Sequence, residues 1–323
     1  MSKNPISKVC FNAYKAKYLF RKAKRKIERK LHIKSPDKPT KFGKKYVGIN
    51  NAQERIFNFI ISGEPFMAGR MGGVEGAVTL EAIQVQQGWR KDISTSASEK
   101  AYINAGFFPP TTEKLMMFAD LMQESLRQVD ILGSMSTYDE EFLVRMNVPN
   151  HAVLTNLGNL EPYYCKNPWT KALAGKKVLV IYPFADTIKK QYEKRELLFS
   201  DPNVLPDFNL TVLKSVQSIA GTKTEFNDWF EALEHMYDEA MKIDFDIAII
   251  GCGAYGFPLA AKLKKAGKQA IHLGGATQIL FGIKGERWEH IPNVKVLFND
   301  NWVRPSADEV PPQAKKVEGG CYW

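Results

Sequence analysis

Seven short apolar, β-branched-rich runs alternate with longer segments of helical spacing, and this alternation leaves few folds open to the chain. The strand-like runs fall at 66–69, 129–133, 152–156, 177–182, 210–216, 245–250 and 269–273. Helical patterns occupy 74–87, 111–128, 186–199, 225–241 and 257–265. Such alternation predicts an α/β fold with a Rossmann-like, mostly parallel sheet flanked by helices. In open sheets of this kind ligands bind beyond the carboxyl ends of the strands, at a topological switch point. Residues that follow a strand are therefore candidates for chemistry, and residues that precede one are structural. A boundary between two halves of the body is expected near 158–175.

The net charge of +10 looks like that of a polyanion binder until it is divided by region. Residues 1–45 hold 16 Lys and Arg against Glu28 and Asp37, a net of +14; the remaining 278 residues hold 29 basic and 33 acidic side chains, a net of −4. The body is thus mildly acidic and not the surface a nucleic acid would select. Within the arm, Ile6, Val9, Cys10, Ala13, Ala16, Phe20, Ala23, Ile27 and Leu31 recur at steps of three and four among Lys and Arg. This spacing predicts a basic amphipathic helix, ended by Pro36 and Pro39 and joined to the body by a linker at 35–45. Phe11, Tyr14, Tyr18 and Phe20 add interfacial aromatics, so residues 1–32 are expected to lie on an anionic membrane surface. No apolar run reaches the roughly 20 residues of a spanning helix. The start has no secretory pattern, so the expected location is cytoplasmic, peripheral at the inner face of the membrane. Four dispersed cysteines and five histidines without H-x-x-x-H signal neither a disulfide framework nor a zinc site.

Three turns carry the chemistry. Gly251-Cys252-Gly253-Ala254-Tyr255-Gly256 is a G-x-G-x-x-G between a strand and a helix, the context in which glycines and helix N–H groups cradle a phosphate. A dinucleotide site would also need an acid at the end of the next strand, where His272, Leu273, Gly274 and Gly275 stand instead. That favours a phosphate-bearing ligand over NAD. His272 is a candidate donor to a diphosphate or sugar hydroxyl, and Gly274, Gly275 and Gln278 a second ligand-facing turn. The third turn, Arg70-Met71-Gly72-Gly73-Val74-Glu75, offers a guanidinium for phosphate and an acid for a metal or a sugar hydroxyl. Asp186, after the strand at 177–182, reads as a helix N-cap and, with Glu75 and Glu161, as a candidate general base. Asp244-Phe245-Asp246 has the D-x-D pattern of sugar-nucleotide enzymes but precedes its strand, which puts it at the wrong end of the sheet.

Together these residues resemble a known family. Arg70 to Glu75 is similar to the R-F-G-D-G-E signature of the bacterial GT-D-type glycosyltransferases. The stretch 246–275, a strand, a glycine-rich turn, a helix and a strand ending in glycine, looks like that family's second conserved block. The resemblance covers most of residues 50–290, within a GT-D-like domain at 46–323. It implies a Rossmann-like enzyme that binds a nucleotide-diphosphate sugar and transfers the sugar to a lipid-linked or protein glycan acceptor. It also implies Mg²⁺ or Mn²⁺ held by a D-x-E motif. This sequence departs from the pattern twice: Gly73 stands at the first acid, and His272 stands where the family has an acid at the end of the second-block strand.

The expected function is glycosyl transfer in cell-surface polysaccharide or glycan biosynthesis. Glu75, Asp186 and His272 are the catalytic candidates. Arg70, Gly72, Gly73, Gly251, Gly253, Ala254, Tyr255, Gly256, Gly274, Gly275 and Gln278 are the expected substrate contacts, with Glu75 as the metal ligand. The alternatives are a non-catalytic nucleotide-sugar or glycan-binding protein, which the two departures favour, and an NAD(P)-dependent oxidoreductase.

Overall fold

The structure, a computed structural model, describes residues 8–30, 40–317 and 319–323. Helix α1 (Lys8–Lys30) is followed by β1 (Thr40–Lys41), β2 (Lys44–Tyr46) and α2 (Ile49–Ser62). The first half of the body continues with β3 (Met67–Gly69), α3 (Gly73–Gln86), α4 (Thr95–Ala105), α5 (Thr112–Leu126), β4 (Ile131–Ser134), α6 (Tyr138–Asn147) and β5 (Val153–Asn156). The second half holds β6 (Lys177–Tyr182), α7 (Ala185–Tyr192), β7 (Asn209–Lys214), α8 (Trp229–Met241), β8 (Ile247–Ile250), α9 (Gly256–Lys265), β9 (Gln269–His272) and α10 (Ala276–Leu280). All seven expected strands are present.

The strands form one sheet in the order β1-β2-β5-β4-β3-β9-β8-β6-β7, parallel except for the β1/β2 hairpin. Side chains alternate across it: Leu179, Ile181, Ala248 and Ile250 enter the core on one face, and Val178, Val180, Ile247 and Ile249 the core on the other. Both faces are covered, which is why these strands read as continuous apolar runs and not as alternating ones. Trp229 and Phe107 lie fully buried on the first face, Trp169 and Phe281 on the second. Each such burial is worth roughly 1.5–3 kcal/mol.

Local signals set most element ends. Thr111 accepts from the Lys114 N–H to start α5, and Asp228 accepts from the Glu231 N–H to start α8, four residues after the expected start. Gly63 and Gly106, both left-handed, stop α2 and α4. The helix expected over 186–199 ends at Tyr192 and gives way to a 3₁₀ turn at Arg195–Leu197, with Lys194 outside helical geometry. Residues 40–45, expected within a linker, instead form β1 and, with Tyr46, β2, and β2 pairs with β5. The sheet is also continuous across the expected boundary at 158–175, because β3 of the first half pairs with β9 of the second.

Helix α1 has two opposite working faces. Phe11 is buried among Trp89, Tyr138 and Phe142, Tyr18 packs on Tyr138, and Arg21 pairs with the buried Glu141 of α6. The other side carries Val9, Ala13, Ala16, Phe20, Ala23 and Ile27, all exposed, with Phe20 at 72%. Phe11 and Tyr18, expected at an interface, therefore face the body. Ile6, Leu31, Pro36, Pro39 and the side chains of Cys10 and Tyr14 lie outside the described residues. Among the described residues no helix is long and apolar enough to cross a membrane.

Candidate functional site

Strand register brings the three turns together. Gly69 and Ile250 both pair with His272, so the turns after β3, β8 and β9 leave the carboxyl edge of the sheet side by side. The three turns, distant in sequence, are thus adjacent at the backbone. What each side chain does there differs from expectation in several places.

Arg70 is held between β3 and β9. Its Nη1 donates to Glu161 Oε1 at 3.0 Å, and Nη2 donates to the Leu273 carbonyl. Both members of the ion pair are nearly buried, with side chains 12% and 8% exposed, and Tyr163 Oη donates to the second Glu161 oxygen at 2.6 Å. Arg70 therefore arrives at the crevice with its charge already balanced, which corrects its expected role as the free counter-charge to a diphosphate. Glu161, a candidate base, is Arg70's anchor. Only Arg70 Nε is left without a protein partner.

His272 ends β9 and is 5% exposed. Its Nδ1 lies 2.8 Å from the Arg70 carbonyl oxygen. A carbonyl only accepts, so Nδ1 carries the proton and Nε2 presents a lone pair. Burial and then the adjacent Arg70 charge pull the ring's pKa from 6.5 down to about 3. The ring is neutral at physiological pH and offers an acceptor, not the donor expected from the sequence.

The glycines of the G-x-G-x-x-G turn divide between packing and access. A Cβ on Gly251 would stand 2.5 Å from the Gly274 carbonyl and from the Tyr182 ring; one on Gly256 would stand 2.5 Å from His272 Nε2. These two glycines let the strand-end segments close on one another. Ala254 and Tyr255 are buried, and Tyr255 stacks on Trp229 with its hydroxyl 2.7 Å from Ser218 Oγ, which corrects both as ligand contacts through their side chains. Gly253 alone is exposed, left-handed at φ 59°, and a Cβ there would meet only the Ala105 carbonyl oxygen, at 4.0 Å. It leads into α9, where the Gly256 N–H already bonds the Gly253 carbonyl and Pro258 has no N–H, so this turn offers an anion mainly the positive end of the helix dipole.

Glu75 lies in the first turn of α3, half-buried, and folds back so that a Cβ on Gly72 would overlap its carboxylate. Burial raises its pKa, partly offset by a hydrogen bond from its own N–H. A desolvated carboxyl at a strand-end turn suits proton transfer. Gly73 beside it is exposed and open.

Three other expectations resolve differently. Asp186 is not the N-cap of α7 but sits inside its first turn, exposed and 3.5 Å from Lys189. The start of α7 is instead capped by the buried Glu309, which accepts from the Asp186 and Thr187 N–H groups. Gln278 is fully buried; its amide donates to the carbonyls of Ile283, Lys284 and Tyr322 and its oxygen accepts from Tyr182, so it holds the C-terminal segment and is no ligand contact. Gly275 lies under the Tyr322 ring, 2.7 Å from where a Cβ would stand. Glu161 as Arg70's partner and Glu309 as the α7 cap had no legible sequence signal, since both are long-range contacts. Asp244 pairs with Lys177, and Asp246 accepts from the Lys177 N–H, at the amino edge as expected.

Among the described residues no three His, Cys, Asp or Glu side chains are grouped as metal ligands. Glu75 lacks the second acid of the D-x-E pattern, and Arg70 places a cation beside His272. This donor set does not fit a protein-held Mg²⁺ or Mn²⁺. A surface hollow of about 590 Å³, lined by Lys177, Lys189, Tyr192, Phe208, Thr211 and Asp244, contains none of the crevice residues and lies along the edge strand β7.

No curated protein matches the chain. Two solved structures are similar to it. One is described as the highly conserved domain of unknown function 1792 with a distinct glycosyltransferase fold: 14% identity over 84% of this chain and 95% of that one, TM-score 0.46. The other is a selenomethionine-substituted structure of domain of unknown function 1792: 14% identity over 73% and 79%, TM-score 0.43. The GT-D-like family, described as a GT-D fold-like domain, matches residues 116–280, a span that includes the 251–256 turn and His272 but begins after Arg70 to Glu75. That match covers half of the chain, and the chain belongs to the GT-D-like family.

Proposed function

We propose that this protein is a glycosyltransferase that binds a nucleotide-diphosphate sugar at the carboxyl edge of β3, β9 and β8. The observation that supports the reading is the pairing of Gly69 and Ile250 with His272, which sets the turns that carry Glu75 and Gly253 on either side of the end of β9. The diphosphate lies against Gly253 and the turn leading into α9, where the positive end of the helix dipole meets the charge that builds on the departing nucleotide. Glu75 takes the proton of the acceptor hydroxyl as its oxygen bonds to the sugar carbon and the bond from that carbon to the diphosphate oxygen breaks. Arg70, locked by Glu161, positions β3 against β9 and turns its Nε–H to the ligand. The acceptor is a lipid-linked or protein glycan of a cell-surface pathway.

Residues 1–45 act as a tether in this reading and 46–323 as the catalytic unit. The exposed α1 stripe, flanked by Lys, suits an anionic bilayer at the cytoplasmic face, while the opposite side of the helix grips α6. Vesicles rich in anionic lipid should sediment the full chain but not a variant with Phe20 and Ile27 changed to Asp.

Gly73 in place of an acid favours a second reading, binding of a nucleotide sugar without transfer. The test is a panel of nucleotide sugars assayed for binding and for hydrolysis or transfer, with and without Mn²⁺. Turnover that Glu75→Gln abolishes supports the enzyme; binding without turnover supports the second reading. Stabilisation by NAD but by no nucleotide sugar would remove both.

A further inference from the structure

Two polar atoms at the crevice are buried and have no protein partner: the Arg70 Nε donor and the His272 Nε2 acceptor. Leaving either unpaired costs roughly 1–3 kcal/mol, so their company in one place calls for an explanation. Both lie beside Gly274. The position a Cβ of Gly274 would take lies 3.6 Å from Arg70 Nε and 3.8 Å from His272 Nε2, with no other atom beyond the neighbouring residues within 4 Å. Gly274 is left-handed at φ 58°, a conformation that disfavours a side chain there.

The chemistry of the pair selects what fits between them. Nδ1 of His272 donates to the Arg70 carbonyl, so Nε2 can only accept. Phosphate oxygens also only accept, and would face that lone pair with no proton between. A metal cation would sit against the Arg70 guanidinium. A hydroxyl satisfies both atoms at once, donating to Nε2 and accepting from Nε.

We propose that the niche bounded by Arg70, His272 and Gly274 seats one hydroxyl of the donor sugar and is the chain's sugar-specificity contact. This rests on the nucleotide-sugar reading above and adds the group that His272 recognises. It also gives a physical sense to a histidine where the family resemblance implies an acid: a neutral acceptor beside a buried arginine reads a hydroxyl without adding charge. Because the ring stays neutral down to about pH 3, that recognition does not titrate across the physiological range.

The test uses the full chain and calorimetry with UDP, UDP-glucose, GDP and GDP-mannose, on wild type and His272→Phe, which keeps a planar ring and loses the lone pair. The expected result is a loss of about tenfold in affinity for the nucleotide sugar that binds, with its parent diphosphate unchanged within about twofold. Equal losses for both ligands would assign His272 to packing, and no loss for either would assign the niche to a trapped water; both overturn the proposal and leave the nucleotide-sugar reading standing. Failure of wild type to bind any of the four would overturn the two together. Should His272→Phe not fold, imidazole ¹⁵N NMR of the unmodified chain, which has only five histidines, decides instead. The Nε2 resonance of His272 should start as a free acceptor and move with nucleotide sugar but not with diphosphate. Movement with Mn²⁺ or diphosphate alone would overturn the assignment.

Discussion

The two glycine-rich turns look alike in sequence and do different work in the fold. In the turn after β8, Gly251 and Gly256 make room for Gly274, Tyr182 and His272, leaving Gly253 as the exposed position. In the turn after β3, Gly73 is open and Gly72 leaves space for the returning Glu75 side chain, while Arg70 is fixed by Glu161. One turn is a packing joint with a single exposed position; the other carries an acid folded back on its own glycine and an immobilised cation. A glycine motif therefore reports close backbone approach, and only the surroundings say whether a ligand or another segment is what approaches.

The sharpest way to break this contrast is Glu75→Gln. It should lower kcat by about 10²–10⁴ with KM little changed, measured by product release from the nucleotide sugar. An unchanged kcat would return Glu75 to a helix-terminal role. Breaking the anchor comes next: Glu161→Ala leaves Arg70 buried and unpaired, and should cost about 3–5 kcal/mol in denaturant unfolding. Within the β8 turn, Gly256→Ala forces a methyl against the His272 ring and should destabilise by about 1–3 kcal/mol. Gly253→Ala meets open space, so its cost is the left-handed backbone alone, about 1–2 kcal/mol, and its larger effect should be on diphosphate affinity. Equal behaviour of the two variants would erase the division between packing and access.

A pH dependence tests the same contrast. The folded-state pKa of His272 lies below its unfolded value, so its contribution to stability is complete above about 6.5 and is lost as pH falls toward about 3. Glu75 runs the other way: its raised pKa means the folded state holds a proton longer, so this group favours folding more as pH falls toward its unfolded value of 4.5. Urea midpoints taken from about pH 7 to 4 should fall less steeply for His272→Phe than for wild type.

The sheet was legible because its central parallel strands are buried on both faces and read as apolar runs, while the edge strand β7 shows through its Leu210, Val212 and Leu213. Helix α6 was not: its Glu140 and Glu141 are buried, satisfied by Ser134, the 135–136 backbone and Arg145, which hides an apolar pattern. The hairpin at 40–46 has no strand-like run of its own and gains order from pairing with β5. Position relative to the strands put Arg70, Glu75 and Gly253 in turns at the carboxyl edge of the sheet, with His272 at the end of β9. It could not foresee that Arg70 pairs with a residue 91 positions away, or that Gln278 is committed to the C-terminal segment. Partners distant in sequence decide whether a polar side chain is available, and spacing carries no record of them. The arm shows the same limit: its apolar stripe was evident, but the aromatic face of Phe11 and Tyr18 has meaning only beside Tyr138 and Phe142.

A structure of the full chain with the nucleotide sugar it binds most tightly tests the central claim directly. The diphosphate should rest on Gly253 and the first turn of α9, with the sugar between Glu75 and the Arg70–His272 niche. A nucleotide sugar bound instead in the hollow between Lys177 and Lys189, with the carboxyl-edge turns untouched, would contradict it.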